Sequence, residues 1–502
     1  MPLPHVGRQG IRSTRRPKTY KAQHLYILPF CPLPPDAPII RCHMSNSLER
    51  LTQPLAGQRV HIPHLPDYSV LRHCVRCARC LPVCPTYQET LREVQSPRGR
   101  LALLKAVAEG ILPPTSAVEE HLYHCLDCRM CNTVCPANVP IGECILAGRA
   151  AFAHHRGLTW WRRLVFRHVL ISAERLGLAL WPLRLYQRSG LARLVRPALR
   201  ALPGPLARLR TMEALLPPLP SRPLHATLPT VTPARGVRRY RVGFFLGCMM
   251  SQLFAAESRA TVDVLSAAGC EVVTPPGQVC CGSPQDDQGD RVQLRRLARA
   301  NIALFERLGT LDAIVTDCAA CSHTLKEYAT LLADEPTFAA RAAAFSAMVR
   351  DIYEWYDAIM PPTLGNNATP PLRVTIHDAC HLANAQGVRT PQRRLLGSIR
   401  GIEVVEMEAP SACCGSAGIY NITHPDMADR RLARKLDDIL STGAAVVVTN
   451  GPGCLLQLRA AVRERQLPFQ VWHISQLLAR CQPISAGGIP SPGACGQGEV
   501  EE

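Results

Sequence analysis

Through the second half of the chain, short apolar runs alternate with stretches whose apolar residues recur at helical spacing. Val242-Gly243-Phe244-Phe245-Leu246-Gly247 reads as a buried strand ending at Cys248. A helix to about Ala268, a strand Cys270-Glu271-Val272-Val273 and the turn Cys280-Cys281-Gly282 follow. After another helix, the strand Ala313-Ile314-Val315-Thr316-Asp317 delivers Cys318 and Cys321. The pattern then recurs. Val374-Thr375-Ile376-His377-Asp378 leads to Cys380, Glu403-Val404-Val405-Glu406-Met407 precedes Cys413-Cys414-Gly415, and a strand over 444–449 leads to Cys454. Cys248 and Cys380 lie 132 residues apart, and Cys280 and Cys413, like Cys321 and Cys454, 133. A near-constant offset across three landmarks marks a duplication. Strand–helix alternation predicts α/β units with largely parallel sheets, whose loops at the strand ends build sites.

Upstream the pattern changes. Ser96 before Pro97 is an N-cap with proline at the first helical position, and Gly110 is a natural stop, so a helix is expected between them. Arg98 and Arg100 sit near its positive end. A solvated face is expected for them, with a metal group or a partner as alternatives. Residues 151–220 read as short amphipathic helices broken at Pro182, Pro197, Pro203 and Pro205. Trp160, Trp161, Phe166, Leu170, Leu178, Leu180 and Trp181 form apolar faces, and Arg162, Arg163, Arg167, Arg175 and Arg184 a basic one. Such a segment suits an anionic membrane surface, a partner subunit or an ordinary packed linker. Residues 1–60, rich in proline and arginine, lack periodicity and are expected to be disordered, with Met44 as an alternative start. The expected organisation is therefore a basic arm over 1–60, a metal-binding unit over 65–150, a basic helical connector over 151–240, the two repeat units over 241–360 and 370–480, and a flexible tail over 481–502.

Charge sharpens this picture. The formal net charge is +18, of which residues 1–50 carry +6 and residues 151–240 carry +14, leaving the remainder at −2. The basic charge thus sits on an arm and a connector. No nucleic-acid motif accompanies it, so no nucleic-acid partner is expected. With 47% hydrophobic residues the chain can build real cores, yet no uncharged apolar run is long enough to span a membrane. Twenty-three cysteines, mostly in CxxC or CC clusters, read as metal binding in a reducing compartment. A cytoplasmic location is expected, peripheral at most on the inner face of the cell membrane.

The chemistry lies in the cysteine spacing. Cys74, Cys77, Cys80 and Cys84-Pro85 follow C-x2-C-x2-C-x3-C-P, and Cys125, Cys128, Cys131 and Cys135-Pro136 repeat it. This is the bacterial ferredoxin run for [4Fe–4S] clusters, in which three close cysteines wrap one cluster and the fourth reaches the other. One cluster is therefore assigned to Cys74, Cys77, Cys80 and Cys135, the second to Cys84, Cys125, Cys128 and Cys131. Four thiolates also suit zinc, but a three-cysteine loop with a distant fourth, occurring twice, fits iron–sulfur better. In the repeats, adjacent cysteines in an extended chain point apart. Both can meet one site only where the backbone turns, which the following glycine permits. Histidines 377, 381 and 424 rank below any cysteine as ligands. Cys31, Cys42, Cys144, Cys270, Cys481 and Cys495 fall outside the patterns.

One cysteine, then CCG, then CxxC resembles the cysteine-rich (CCG) domain of heterodisulfide reductases and related dehydrogenase subunits. The first copy matches fully with Cys248, Cys280, Cys281, Cys318 and Cys321. The second has Gly451 in place of the first CxxC cysteine, leaving Cys380, Cys413, Cys414 and Cys454. Two ferredoxin runs before two CCG repeats resemble the iron–sulfur subunit of bacterial glycolate oxidase (glycolate dehydrogenase) over about 65–480. Its more specific pieces are Cys84-Pro85-Thr86-Tyr87, Ser96 to Arg100, and Cys413 to Tyr420 with His424-Pro425. The resemblance implies a mainly helical, ferredoxin-type two-cluster domain followed by two duplicated α/β CCG domains, a mixed α and α/β fold. It implies two [4Fe–4S] clusters and one or two more in the CCG domains. It also implies that a partner FAD-binding subunit oxidises glycolate to glyoxylate, and that electrons pass on toward quinone or the membrane. The chain has no G-x-G-x-x-G fingerprint, so FAD is expected only in the partner. The alternatives are an equivalent subunit for lactate, another 2-hydroxy acid or glycerol-3-phosphate, and a heterodisulfide-reductase-like catalyst.

Overall fold

A computed structural model describes residues 62–192, 195, 213, 215–359 and 371–481. The expected arm over 1–60, the start at Met44, the breaks at Pro197, Pro203 and Pro205, and the tail beyond 481 lie outside these residues.

The N-terminal unit is helical. Its central helix, Pro97–Ala108, begins as the capping residues dictate: the Ser96 hydroxyl accepts from the Gly99 amide at 2.9 Å. Leu101, Leu104, Val107 and Ala108 form its buried face. They join Leu122, Ile145, Ala151 and Phe152, the last three from the helix Ile141–Arg156, in one core. The two cysteine loops flank this core.

The connector holds a short helix Trp160–Leu164, a π-turn Val165–Val169 and a longer helix Ala173–Arg188. The last corrects an expectation, because it runs through Pro182 without breaking. Proline removes one N–H and crowds the carbonyl four residues back. Here that turn carries the exposed Leu178, and the Arg184 guanidinium donates to the neighbouring Gly177 carbonyl at 3.2 Å.

Each repeat builds one sheet. The first contains β1 (Val231–Thr232), β2 (Tyr240–Phe244), β3 (Cys270–Val273), β4 (Ala313–Thr316) and β5 (Val349–Asp351), in the order β1-β3-β2-β4-β5. Only β1 is antiparallel. The second contains β6 (Leu372–Ile376), β7 (Ile402–Val404), β8 (Val446–Thr449) and β9 (Gln470–His473), in the order β7-β6-β8-β9, all parallel. With β1 set aside, the orders are the same. The central strands β4 and β8 are buried at every position, as expected for a parallel sheet covered on both faces. The sequence pattern missed β1, β5 and β9, which are short and carry Thr232, Arg350, Asp351 and His473 among their few apolar residues.

The repeats pack reciprocally. Helix Ala255–Ala267 of the first meets Ile474–Arg480 of the second, and Ile352–Ile359 meets Thr390–Gly397 in the matching way. At the strand ends, the Asn450 amide donates to both Asp351 carboxylate oxygens at 2.9 Å, and the His473 Nε2 lies 2.9 Å from the Asp317 carbonyl. Asp317 and Asn450 are equivalent positions of the duplication, so one contact is the counterpart of the other.

Candidate metal centres

In both ferredoxin-type loops the backbone takes the same unusual course. Arg76 and Ala78 between the first three cysteines, and Asp127 and Arg129 in the second loop, all have φ between +49° and +68°. Non-glycine residues rarely adopt this left-handed conformation. Two such residues flanking the middle cysteine of each loop curl the chain around a hollow. Cys74, Cys77, Cys80 and Cys135 line one cavity. Cys84, Cys125, Cys128 and Cys131 line another. The fourth cysteine of each run therefore lies at the other run's cavity.

The donor chemistry fits the cluster this spacing implies. Four soft thiols face each hollow. Burial pushes the Cys80 thiol up to about 11, and Cys128 and Cys131 well above their ordinary value. Such groups stay protonated alone and ionise only against a metal. The Val139 amide donates to Cys135 Sγ at 3.4 Å, and the Thr86 hydroxyl sits 3.2 Å from Cys84 Sγ.

Arg100 corrects the expected solvated face. It is completely buried and lines the second cavity. Its guanidinium donates to the Gln95 carbonyl (2.8 Å), the Gln95 side chain (2.8 Å), the Thr86 hydroxyl (3.1 Å) and the His121 carbonyl (2.7 Å). The charge is thus wholly hydrogen-bonded, which a buried guanidinium requires. Arg98 stays partly exposed, paired to Glu93 at 2.7 Å.

The five thiols of the first CCG copy converge in a buried cluster. Cys248 Sγ and Cys280 Sγ are 3.6 Å apart, Cys280, Cys281, Cys321 and Cys318 follow as thiols that perturb one another in turn, and the Cys321 amide donates to Cys318 Sγ at 3.4 Å. Hydrogen bonds from Cys280 and Cys321 hold the Cys281 thiol below its ordinary value. Gly282, at φ +97°, makes the turn that lets adjacent Cys280 and Cys281 serve one site. The strand does not reach Cys248 as the pattern predicted. β2 ends at Phe244, and Cys248 opens the helix Cys248–Leu253. The connector closes this site: the Ile171 carbonyl accepts from the Cys280 amide at 2.8 Å, and Leu176 joins the thiols' apolar cluster.

In the second copy the thiols of Cys380, Cys413, Cys414 and Cys454 form a similar chain. Gly415, at φ +94°, makes the matching turn. One histidine ranked below the cysteines in the sequence lies among them here. A nitrogen of His377 and the Sγ atoms of Cys414 and Cys454 all lie within 4.8 Å of one another. A signal existed, because by the repeat offset His377 stands where the first copy has Phe245. The other histidines lie elsewhere: His424 stacks on Tyr420 (centroids 4.5 Å), and His381 turns toward the ferredoxin-type unit.

That unit and the second repeat meet at their cysteines. Leu126 and Cys128 pack with Cys413, Tyr420, Met427 and Ala428, with Cys380 against them. The Asn384 amide donates to the Cys128 carbonyl at 3.0 Å. His381 Nε2 lies 3.1 Å from the Asp127 carbonyl oxygen and 3.3 Å from its carboxylate. Burial alone would raise the Asp127 carboxyl, but Arg129 at 2.6 Å and His381 hold it well below the usual range. Burial alone would lower His381, but its hydrogen bond to Asp127 together with the charges of Cys380, Asp127 and Asp287 outweighs this and raises it to about 9. The signs give a testable consequence. A raised histidine stabilises the fold fully below its ordinary 6.5, and that stability is lost as pH rises through about 9. A depressed aspartate adds stability above its ordinary 3.8 that is lost in acid. Between about pH 7 and pH 9.5 the thermal midpoint should fall, and Asp127→Asn should start lower and flatten that fall. Scanning calorimetry across this range checks it.

Comparison with known proteins matches the successive units of the chain. Residues 70–139 match the 4Fe-4S dicluster domain, 242–326 and 374–459 the cysteine-rich (CCG) domain, and 157–216 the linker region of the glycolate oxidase iron-sulfur subunit. A Bacillus subtilis protein named "Probable glycolate oxidase iron-sulfur subunit" is 39% identical over 421 residues, 82% of this chain and 94% of the relative. The "Glycolate oxidase iron-sulfur subunit" of Escherichia coli is 29% identical over 82% of this chain and 95% of the relative. A fumarate reductase (CoM/CoB) subunit of Methanothermobacter marburgensis is 28% identical over 84% of this chain and 74% of the relative. Cysteine runs, connector and both repeats fall in the same order along one chain, and it belongs to the family of glycolate oxidase iron–sulfur subunits.

Proposed function

We propose that this chain passes electrons singly from a flavin-bearing partner, which oxidises glycolate to glyoxylate, toward a quinone acceptor at the membrane. In this reading Cys74, Cys77, Cys80 and Cys135 hold one [4Fe–4S] cluster and Cys84, Cys125, Cys128 and Cys131 the other. The five thiols of the first repeat take a further iron–sulfur group. Bound clusters supply one-electron acceptance and release, which lets a hydride's electron pair be divided. The protein's own residues set the conditions. Arg100 places a buried positive charge beside the second cavity, which favours an added electron there. The apolar wall of Leu126, Met427 and Ala428 keeps water from the junction.

The observation that carries this reading is the crossing of the two runs, which gives two four-thiol cavities side by side in one small unit. The connector supports a surface location. Trp160, Leu178, Trp181 and Leu185 are exposed on helices that also carry arginines. No helix of the described residues is long and apolar enough to cross a membrane. The test is anaerobic: iron analysis and EPR on the chain purified with its flavoprotein partner. At least two cubane signals should appear, and adding glycolate should reduce them. Fewer than two cubanes, or no reduction by glycolate, would refute the reading.

A further inference from the structure

The two repeats differ at three positions that meet in space. Where the first has Phe245, Gly247 and Cys318, the second has His377, Ala379 and Gly451. Gly451 has φ −90° and ψ 115°, an ordinary extended conformation, so its backbone does not require glycine. What opposes a side chain there is space. A Cβ at 451 would lie 3.0 Å from Cys454 Sγ and 3.3 Å from the Ala379 Cβ. The methyl of Ala379 thus fills part of the room a cysteine would need. One thiol is lost at one strand end, and an imidazole is gained at another.

That imidazole is otherwise unexplained. His377 is 2% exposed, and neither ring nitrogen makes a hydrogen bond of normal geometry. Buried polar atoms are normally paired, and one nitrogen of this ring stands beside two thiols instead. The Pro410 backbone carbonyl lies in reach of the ring, the kind of partner a metal-bound histidine gives its second nitrogen. Its nitrogen and the sulfurs of Cys414 and Cys454 lie within 4.8 Å of one another. Around a single tetrahedral ion with bonds of about 2.0–2.3 Å, such atoms sit about 3.5–3.8 Å apart, so shifts of about an ångström close the site.

We propose that the second CCG copy binds one zinc ion through His377, Cys414 and Cys454. A mixed nitrogen–sulfur set of this kind suits tetrahedral zinc. The repeat that lost a cysteine thus becomes a fixed-charge metal site beside the redox-active unit, while its five-thiol counterpart remains distinct.

The test uses the full chain, purified anaerobically with its clusters, and reads zinc by mass spectrometry and by X-ray absorption at the zinc edge. About one zinc per chain is expected, with one imidazole nitrogen at about 2.0–2.1 Å and sulfur at about 2.3 Å. His377→Phe, which installs the first repeat's residue, should lower retained zinc at least about tenfold under a fixed chelator challenge, with cubane EPR signals unchanged. An all-sulfur zinc shell, absence of zinc with about four extra iron atoms per chain, or undiminished zinc in His377→Phe would overturn the proposal. Should that variant fail to fold, the absorption spectrum of the unaltered protein still decides.

Discussion

Cys135→Ser is expected to abolish the cluster of the loop that begins at Cys74 and to spare the cluster of its own loop. Iron should fall by about four atoms per chain. One of the two cubane EPR signals should vanish, and glycolate-dependent electron transfer to an external acceptor should drop to background. The reason is geometric. Cys135 lines the cavity of Cys74, Cys77 and Cys80, while Cys84 lines that of Cys125, Cys128 and Cys131. Cys84→Ser should therefore remove the other signal. The pair of variants is decisive because each has the opposite as its control. If Cys135→Ser removes the signal that Cys125→Ser also removes, the crossed assignment is wrong.

Glu89→Ala is expected to loosen the ferredoxin-type unit from the second repeat. Glu89 is nearly inaccessible and meets three arginines of the helix Pro425–Ser441: Arg434 at 2.8 Å, Arg431 at 3.3 Å and Arg430 at 3.6 Å. Arg430 and Arg434 are half exposed and can turn to water. Arg431, 7% exposed, cannot, and would keep only the Gln88 side chain at 2.7 Å. Stranding one partner of a buried pair costs about 3–5 kcal/mol, and the exposed arginines place this case near the lower end. Calorimetry should show a lowered midpoint, and hydrogen exchange should show faster opening around Leu126 and Tyr420. Glu89→Gln, which retains a hydrogen-bond acceptor, should cost less. A midpoint unchanged in Glu89→Ala would mean that apolar packing alone holds this junction.

Much of the fold was legible because its signals are local. The strand at Cys270–Val273 has the limits its β-branched run predicts. The Ser96 cap and the helix after it follow from side chains within one turn. The duplication needed only counting. Failures came where a distant partner outweighed a local preference. Pro182 argues for a break, yet the helix continues. Arg100 reads as a solvated charge, yet carbonyls of Gln95 and His121 take it into the interior. β5 and β9 carry polar residues that mark no strand, because Asp351 and His473 serve the contact between repeats.

By itself the sequence determined which cysteines group into loops, that the second half is one unit written twice, and that the chain carries soft-metal chemistry. These follow from spacing, since residues within a few positions must be neighbours whatever the rest of the chain does. Only the tertiary structure decided that the loop of Cys128 lies against Cys380 and Cys413, and that His377 faces Cys414 and Cys454. The partners in these meetings stand on different strands and turns, some of them hundreds of residues apart. Their approach is set by packing of whole sheets and helices, in which no short stretch of sequence has a deciding share.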